Sequence, residues 1–180
     1  MRISVYSEKG GAGKSTLAVA LAFAFDLPII DLDPMGVSSG HLRLRDATKL
    51  RQDGWIADFP AGTDLTHTQY LRDADLVIVP CRPTYPDLKG LGQTLRFVKA
   101  HAGPSTRMCL FANAIAPKSS DLNLFVEAVG KHGLPILGHF TQRVAYGRAG
   151  VTGRPFGDLD PIAGQEVESV VESVKGVLEL

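Results

Sequence analysis

Short, unbroken apolar runs alternate along the chain with longer stretches in which apolar residues recur every three or four positions. The runs at 3–6, 28–32, 55–57, 76–79, 108–111 and 136–140 are strand candidates. They are apolar at consecutive positions rather than at every second one, which predicts strands covered on both faces, as in a parallel sheet. Helix candidates fall between them, at 14–25, 39–49, 87–101, 121–131 and 162–178. Strand and helix in alternation predict an α/β fold, a doubly wound, mainly parallel sheet flanked by helices and joined by right-handed crossovers. Sheets of this kind bind ligands beyond the carboxyl ends of their strands. Chemistry is therefore sought in the residues directly after each run.

After the first run, Ile3-Ser4-Val5-Tyr6, comes Ser7-Glu8-Lys9-Gly10-Gly11-Ala12-Gly13-Lys14-Ser15-Thr16, and then an Ala/Leu-rich helix candidate. Strand, glycine loop and helix in that order form the context of a phosphate-binding loop, the P-loop of nucleoside triphosphatases. Glycine lets backbone N–H groups turn inward around a phosphate with no Cβ in the way, and a helix N-terminus adds positive partial charge. The expected nucleotide-binding residues are Gly10, Gly11, Ala12, Gly13, Lys14, Ser15 and Thr16. Lys14 would reach the β- and γ-phosphates, and the Ser15 hydroxyl would ligate Mg²⁺. The strict loop pattern has glycine where Glu8 stands, so the sequence departs from it at one position.

The departure has a counterpart. Lys9-Gly10-Gly11-Ala12-Gly13-Lys14-Ser15 resembles the deviant Walker A box of the ParA/MinD family of partition and positioning ATPases. Asp31-Leu32-Asp33-Pro34-Met35-Gly36 resembles the family's Asp-x-Asp-Pro-Gln-Gly box, with Met35 in place of glutamine, and Ile56-Ala57-Asp58-Phe59-Pro60-Ala61-Gly62 resembles its Walker B strand. Val77-Ile78-Val79-Pro80 with Pro83, then Phe111-Ala112-Asn113, then Gln142-Arg143-Val144-Ala145-Tyr146 are similar to later family blocks in the same order. The resemblance spans nearly the whole chain and is nearest to short, plasmid-type ParA proteins without an N-terminal helix-turn-helix domain. It implies hydrolysis of ATP with Mg²⁺, and a catalytic set of Lys9, Lys14 and Asp33. In that set Lys9 crosses a nucleotide-sandwich homodimer to the partner's ATP, and Asp33 orients the attacking water. It implies Ser15, Asp31 and Asp58 as the metal set, and Asn113 as a contact to the base. It also implies non-specific DNA and a ParB-like adaptor protein as partners. Capping or turn formation remains the other reading of Asp31, Asp33 and Asp58, and a strand-end turn that of Asn113. The segments from Thr16 to Asp31 and from Gly36 to Trp55 are shorter than is usual in the family.

Composition narrows the setting. The 180 residues suit one domain, 1–180, with 44% apolar and 21% charged residues. No apolar run approaches the roughly 18 residues that cross a bilayer, and no leader pattern opens the chain, so a cytoplasmic protein is expected, nucleoid-associated when ATP-bound and with no membrane partner. Cys81 and Cys109 fall inside apolar runs and read as buried thiols; the five histidines are scattered, which sets zinc chemistry aside. The zero net charge conceals an asymmetry: residues 81–154 carry ten Lys/Arg against three Asp/Glu, and residues 155–180 one against six. The basic segment suggests an anionic partner, with Lys118, Lys131, Arg143 and Arg148 as candidate DNA contacts, and Arg82, Lys89 and Lys99 as solvated helix charges. Two rival functions are a MinD-like positioning ATPase and a metabolic P-loop enzyme. The first calls for a basic amphipathic C-terminal helix, whereas 166–180 is acidic and valine-rich. The second calls for inserted loops that make a substrate pocket, for which the chain has little spare length.

Overall fold

The computed structural model describes residues 1–33, 53–152 and 154–180. Its strands are β1 (Arg2–Val5), β2 (Ile29–Asp31), β3 (Trp55–Asp58), β4 (Leu76–Cys81), β5 (Arg107–Ile115) and β6 (Ile136–Thr141). Its helices are α1 (Lys14–Phe25), α2 (Thr68–Arg72), α3 (Tyr85–His101), α4 (Asp121–Gly130), α5 (Val144–Thr152), α6 (Phe156–Leu159) and α7 (Pro161–Leu178). The predicted helix at 39–49 lies outside the described residues.

The six strands form one parallel sheet in the order β2-β3-β1-β4-β5-β6. Successive residues of each central strand face opposite sides, and both sides are apolar, as the unbroken runs require. Leu76 and Ile78 join Ile3, Val5, Ile56 and Phe111 in a core closed by α1 and α7. Val77 and Val79 join Ala57, Leu110 and Ala112 in a second core closed by α3 and α4, with Leu91, Leu95, Val98 and Phe125. The α/β, doubly wound architecture of the P-loop NTPases is thus present. Strand order reverses at β1, with β2 and β3 on one side and β4, β5 and β6 on the other, so the binding crevice opens at the carboxyl end of β1.

Helix α1 is apolar nearly all round, and Leu17 through Ala22 are all buried, because it lies between the sheet and α7. It ends at Asp26 in the left-handed region (φ 54°), and β2 follows three residues after the helix. Helix α7 starts at Asp160, whose carboxylate accepts from the N–H groups of Ile162 (2.9 Å) and Ala163 (3.3 Å), with Pro161 filling the first helical position. Val170 and Val174 are buried in the first core, and Val167, Val171 and Val177 pack against it, so the valines of the tail face the body of the protein. Among the described residues no helix is long and apolar enough to cross a membrane.

Three helices lack a sequence counterpart. Helices α2 and α6 have five and four residues, too short to display a helical period, and α5 contains two glycines, which lower helix propensity. Strand β5 runs four residues beyond its predicted end at 111, through the polar Asn113, with register shifts against β6 at either side of Ala112. Pro80 lies inside central strand β4, where a missing N–H is normally excluded. The Ile78 carbonyl accepts from Tyr6 N, so the polar backbone of residues 78 and 80 faces β1, whose paired register ends at Val5 opposite Ile78, before Pro80's level.

Candidate functional site

Residues Ser7 to Gly13 leave β1 and arch over the start of α1. Gly11 (φ 74°) and Gly13 (φ 95°) hold backbone conformations that side chains disfavour. Gly13 is the N-cap of α1 and brings no side chain to it, so no side chain caps the first-turn N–H groups. A Cβ at Gly13 would stand 2.0 Å from Asn113 Nδ2 and 2.6 Å from its Cγ. That close approach is fixed from the other side, where Asn113 Nδ2 donates to the Ala12 carbonyl (3.0 Å). Asn113 thus braces the loop from β5. Its neighbourhood keeps it on the rim of the crevice, a cavity of about 360 Å³ lined by Gly10, Gly11, Gly13, Lys14, Ser15, Thr16, Asp33, Ala61 and Asn113.

The two lysines of the loop have different surroundings. Lys14 is 7% exposed, and its Nζ donates to the Lys9 carbonyl at 3.1 Å. Burial pushes its pKa down, and the carboxylates of Asp58 and Asp33 oppose that shift. Lys9 points away from the crevice. Its ammonium sits 2.8 Å from Asp87 Oδ1 in the first turn of α3, with 44% of the side chain exposed. Sequence reasoning passed over Asp87, whose only signal was its place after Pro83 and Thr84 at a helix start.

The carboxylates come from neighbouring strand ends. Parallel register sets Asp31 beside Asp58 on β2 and β3, and Asp58 beside Val5 of β1, just before the loop. Asp58 is 0% exposed, with both carboxylate oxygens sealed from solvent. Asp31 Oδ1 accepts from Asp33 N (3.1 Å), a local turn that carries the chain past the edge strand and puts Asp33 on the crevice wall. Pro34, Met35 and Gly36, the rest of that box, lie outside the described residues. The strand-end segment after Asp58 is fastened to the loop: Gly62 N donates to the Glu8 carbonyl (2.9 Å), and Tyr6 Oη donates to the Gly62 carbonyl (3.0 Å).

A glycine cradle at a helix N-terminus, a buried lysine and hard oxygen donors suit a polyphosphate with a small divalent cation. Ser15, Asp31 and Asp58 supply the hydroxyl and carboxylate oxygens of such a donor set. Among the described residues no three His, Cys, Asp or Glu side chains cluster closely enough to hold a metal alone. That is compatible with Mg²⁺, which keeps waters and phosphate oxygens as ligands.

The four candidate DNA contacts flank or lie on two helices, α4 and α5. Arg143 is 19% exposed and is tied to Asp160 (3.0 Å) and Glu166 (3.5 Å), with its Nε donating to the Thr141 hydroxyl (2.7 Å). Two carboxylates of the acidic tail pair with it, so part of its charge is satisfied within the chain. Lys118 and Lys131 are exposed at opposite ends of α4, about 15 Å of helix apart for ten residues. Arg148 is exposed on α5.

The sequence profile of the CobQ/CobB/MinD/ParA nucleotide binding domain matches residues 3–156. No curated protein sequence matches the chain significantly. Among solved structures, the MinC:MinD cell division protein complex of Aquifex aeolicus superposes with a TM-score of 0.78 at 15% identity, covering 98% of this chain and 96% of that one. A candidate plasmid partition protein of Borrelia burgdorferi B31 bound to AMPPNP gives 0.74 at 18% identity, over 96% and 97%. Cobyrinic acid a,c-diamide synthase of Mycobacterium smegmatis, with ADP and magnesium bound, gives 0.63 at 16%, over 84% and 90%. At these identities the likeness carries the fold.

Proposed function

The chain belongs to the CobQ/CobB/MinD/ParA nucleotide-binding domain family, and we propose that within it the protein is a ParA-like ATPase for plasmid or chromosome partition. In this reading 1–180 is a single ATPase domain. ATP closes a sandwich homodimer, the dimer binds DNA without sequence preference, and a ParB-like adaptor stimulates hydrolysis and release. Backbone N–H groups from Gly10 to Gly13, with Lys14, Ser15 and Thr16, hold the phosphates, and Asn113 borders the base. Ser15, Asp31 and Asp58 hold Mg²⁺, which when bound neutralises charge on the β- and γ-phosphate oxygens. Asp33, on the crevice wall, orients the water.

The observation that carries the reading is the contrast between the two lysines. Lys14 is buried inside the cradle, whereas the ammonium of Lys9 lies outside it, against α3. One nucleotide needs one P-loop lysine; a second that faces away from the first subunit's cradle suits service to another subunit. The packing of the α7 valines on the core weighs against that helix as a membrane-surface anchor.

Light scattering with a non-hydrolysable ATP analogue tests the dimer. The wild type is expected to double in mass, and Lys9→Ala to bind the analogue yet remain monomeric. Binding to unrelated duplexes should need ATP rather than ADP, and should weaken with salt at a slope of about −0.9 per phosphate contacted. A wild type that stays monomeric with the analogue at every concentration rejects the sandwich mechanism. Equal DNA binding with ATP and ADP rejects the switch.

A further inference from the structure

Lys9 is held from two directions within its own chain. Its ammonium pairs with Asp87 Oδ1 at 2.8 Å, and the Asp87 carboxylate is only 10% exposed. Thr84, at the start of α3, donates its hydroxyl to the other oxygen, Oδ2, at 2.7 Å. Burial alone would raise the Asp87 pKa, but the bonds from Lys9 and Thr84, with the charges of Lys9 and Arg82, hold the carboxyl below its ordinary range. The acceptor is therefore an oriented carboxylate in a largely buried niche, beside a cavity of about 330 Å³ that Lys9, Asp87, Glu8 and Thr94 help to line. At its backbone, Lys9 accepts the Lys14 ammonium through its carbonyl. The two lysines are thus joined through one backbone carbonyl.

We propose that Asp87 is a positioning residue that latches Lys9 inside its own subunit, so that sandwich dimerisation must first break one Lys9–Asp87 pair in each subunit. The proposal rests on the reading of Lys9 as the lysine that serves the partner's nucleotide. It makes the monomer a state held by a specific contact rather than a mere absence of the partner.

The test is the monomer–dimer equilibrium with a non-hydrolysable ATP analogue, followed by light scattering across protein concentration. A half-exposed ion pair is a modest restraint, about threefold per subunit, and two are broken per dimer. Asp87→Asn should therefore lower the dimer dissociation constant about tenfold. Thr84→Val, which removes the donor that orients the carboxylate and leaves its charge, should shift it in the same direction by less. The gap between wild type and Asp87→Asn should narrow as ionic strength rises from about 0.05 to about 0.5 M, because salt weakens the pair that only the wild type retains. A role of Asp87 limited to capping α3 would leave no such salt dependence. A wild type that dimerises, alongside an Asp87→Asn variant that dimerises no better or worse, overturns the latch while leaving the sandwich reading intact. A wild type that never dimerises removes the premise itself.

Discussion

Replacing Gly13 with alanine perturbs the loop at its most crowded point. Two effects act together there. The backbone at φ 95° disfavours any Cβ, which costs about 1–2 kcal/mol. The added methyl would also lie 2.0 Å from Asn113 Nδ2, a separation that non-bonded atoms do not tolerate, so the Asn113 amide must leave. Its departure breaks the bond to the Ala12 carbonyl, and Ala12 is 2% exposed, so that the carbonyl loses its partner away from water. A stranded buried acceptor adds about 1–3 kcal/mol, for a total of about 2–5 kcal/mol. Gly11→Ala is the internal control: its φ of 74° carries a similar backbone penalty, but no heavy atom lies within 4 Å of the new methyl. It should cost about 1–2 kcal/mol. Urea unfolding of both variants, and of Gly13→Ala combined with Asn113→Ala, measures the difference. The double variant should be more stable than the sum of its singles by about 1 kcal/mol or more, since Asn113→Ala removes the atoms that clash. If Gly13→Ala is no more harmful than Gly11→Ala, or the double variant is simply additive, then Asn113 is not a rigid brace and the argument from close approach is wrong.

Further outcomes follow from burial and placement. Lys14→Ala should abolish MgATP binding by calorimetry, whereas Asp33→Ala should still bind but release phosphate slowly; wild-type turnover in the second variant removes Asp33 from the water-orienting role. Burial pushes the thiol of Cys81 up to about 12 and that of Cys109 up to about 11. An acid whose folded pKa is raised stabilises the fold below its unfolded value and loses that contribution as pH climbs toward the folded one, so stability should decline above pH about 9. Neither thiol should react with a water-soluble disulfide reagent at pH about 8 until the protein unfolds, and prompt labelling of the native protein would contradict their burial.

The parts of the molecule legible in the sequence are those governed by local rules. Unbroken apolar runs located all six strands because double-sided burial leaves no polar alternation. The phosphate loop was legible because Gly11 and Gly13 answer a backbone requirement that no other residue meets as well. What stayed hidden depends on contacts across the fold. Nothing in spacing links Lys9 to Asp87, or Asn113 to Ala12, since each pair meets only when separate strands line up at one edge of the sheet. The charge asymmetry is incomplete for the same reason. Arg143 belongs to the basic segment, but Asp160 and Glu166 of the acidic tail fold back onto it, and a count along the chain cannot register that cancellation in space. Lys118 and Lys131 are near in sequence but are held apart by the length of α4.

The position of β1 governs how the chain can assemble. Strand β1 lies inside the sheet, and both of its neighbours, Trp55–Asp58 and Leu76–Cys81, are synthesised long after it. Helix α1 shares this delay, because its all-round apolar surface needs the sheet on one side and the much later α7 on the other. Long loops must close before these contacts repay the lost chain entropy, which slows folding relative to a fold built from local hairpins. During synthesis β1 therefore lacks a neighbour on one edge until the chain has emerged past Cys81, and α1 lacks part of its cover until Leu178 has followed. The same segment that leads into the phosphate cradle is in that interval exposed to aggregation.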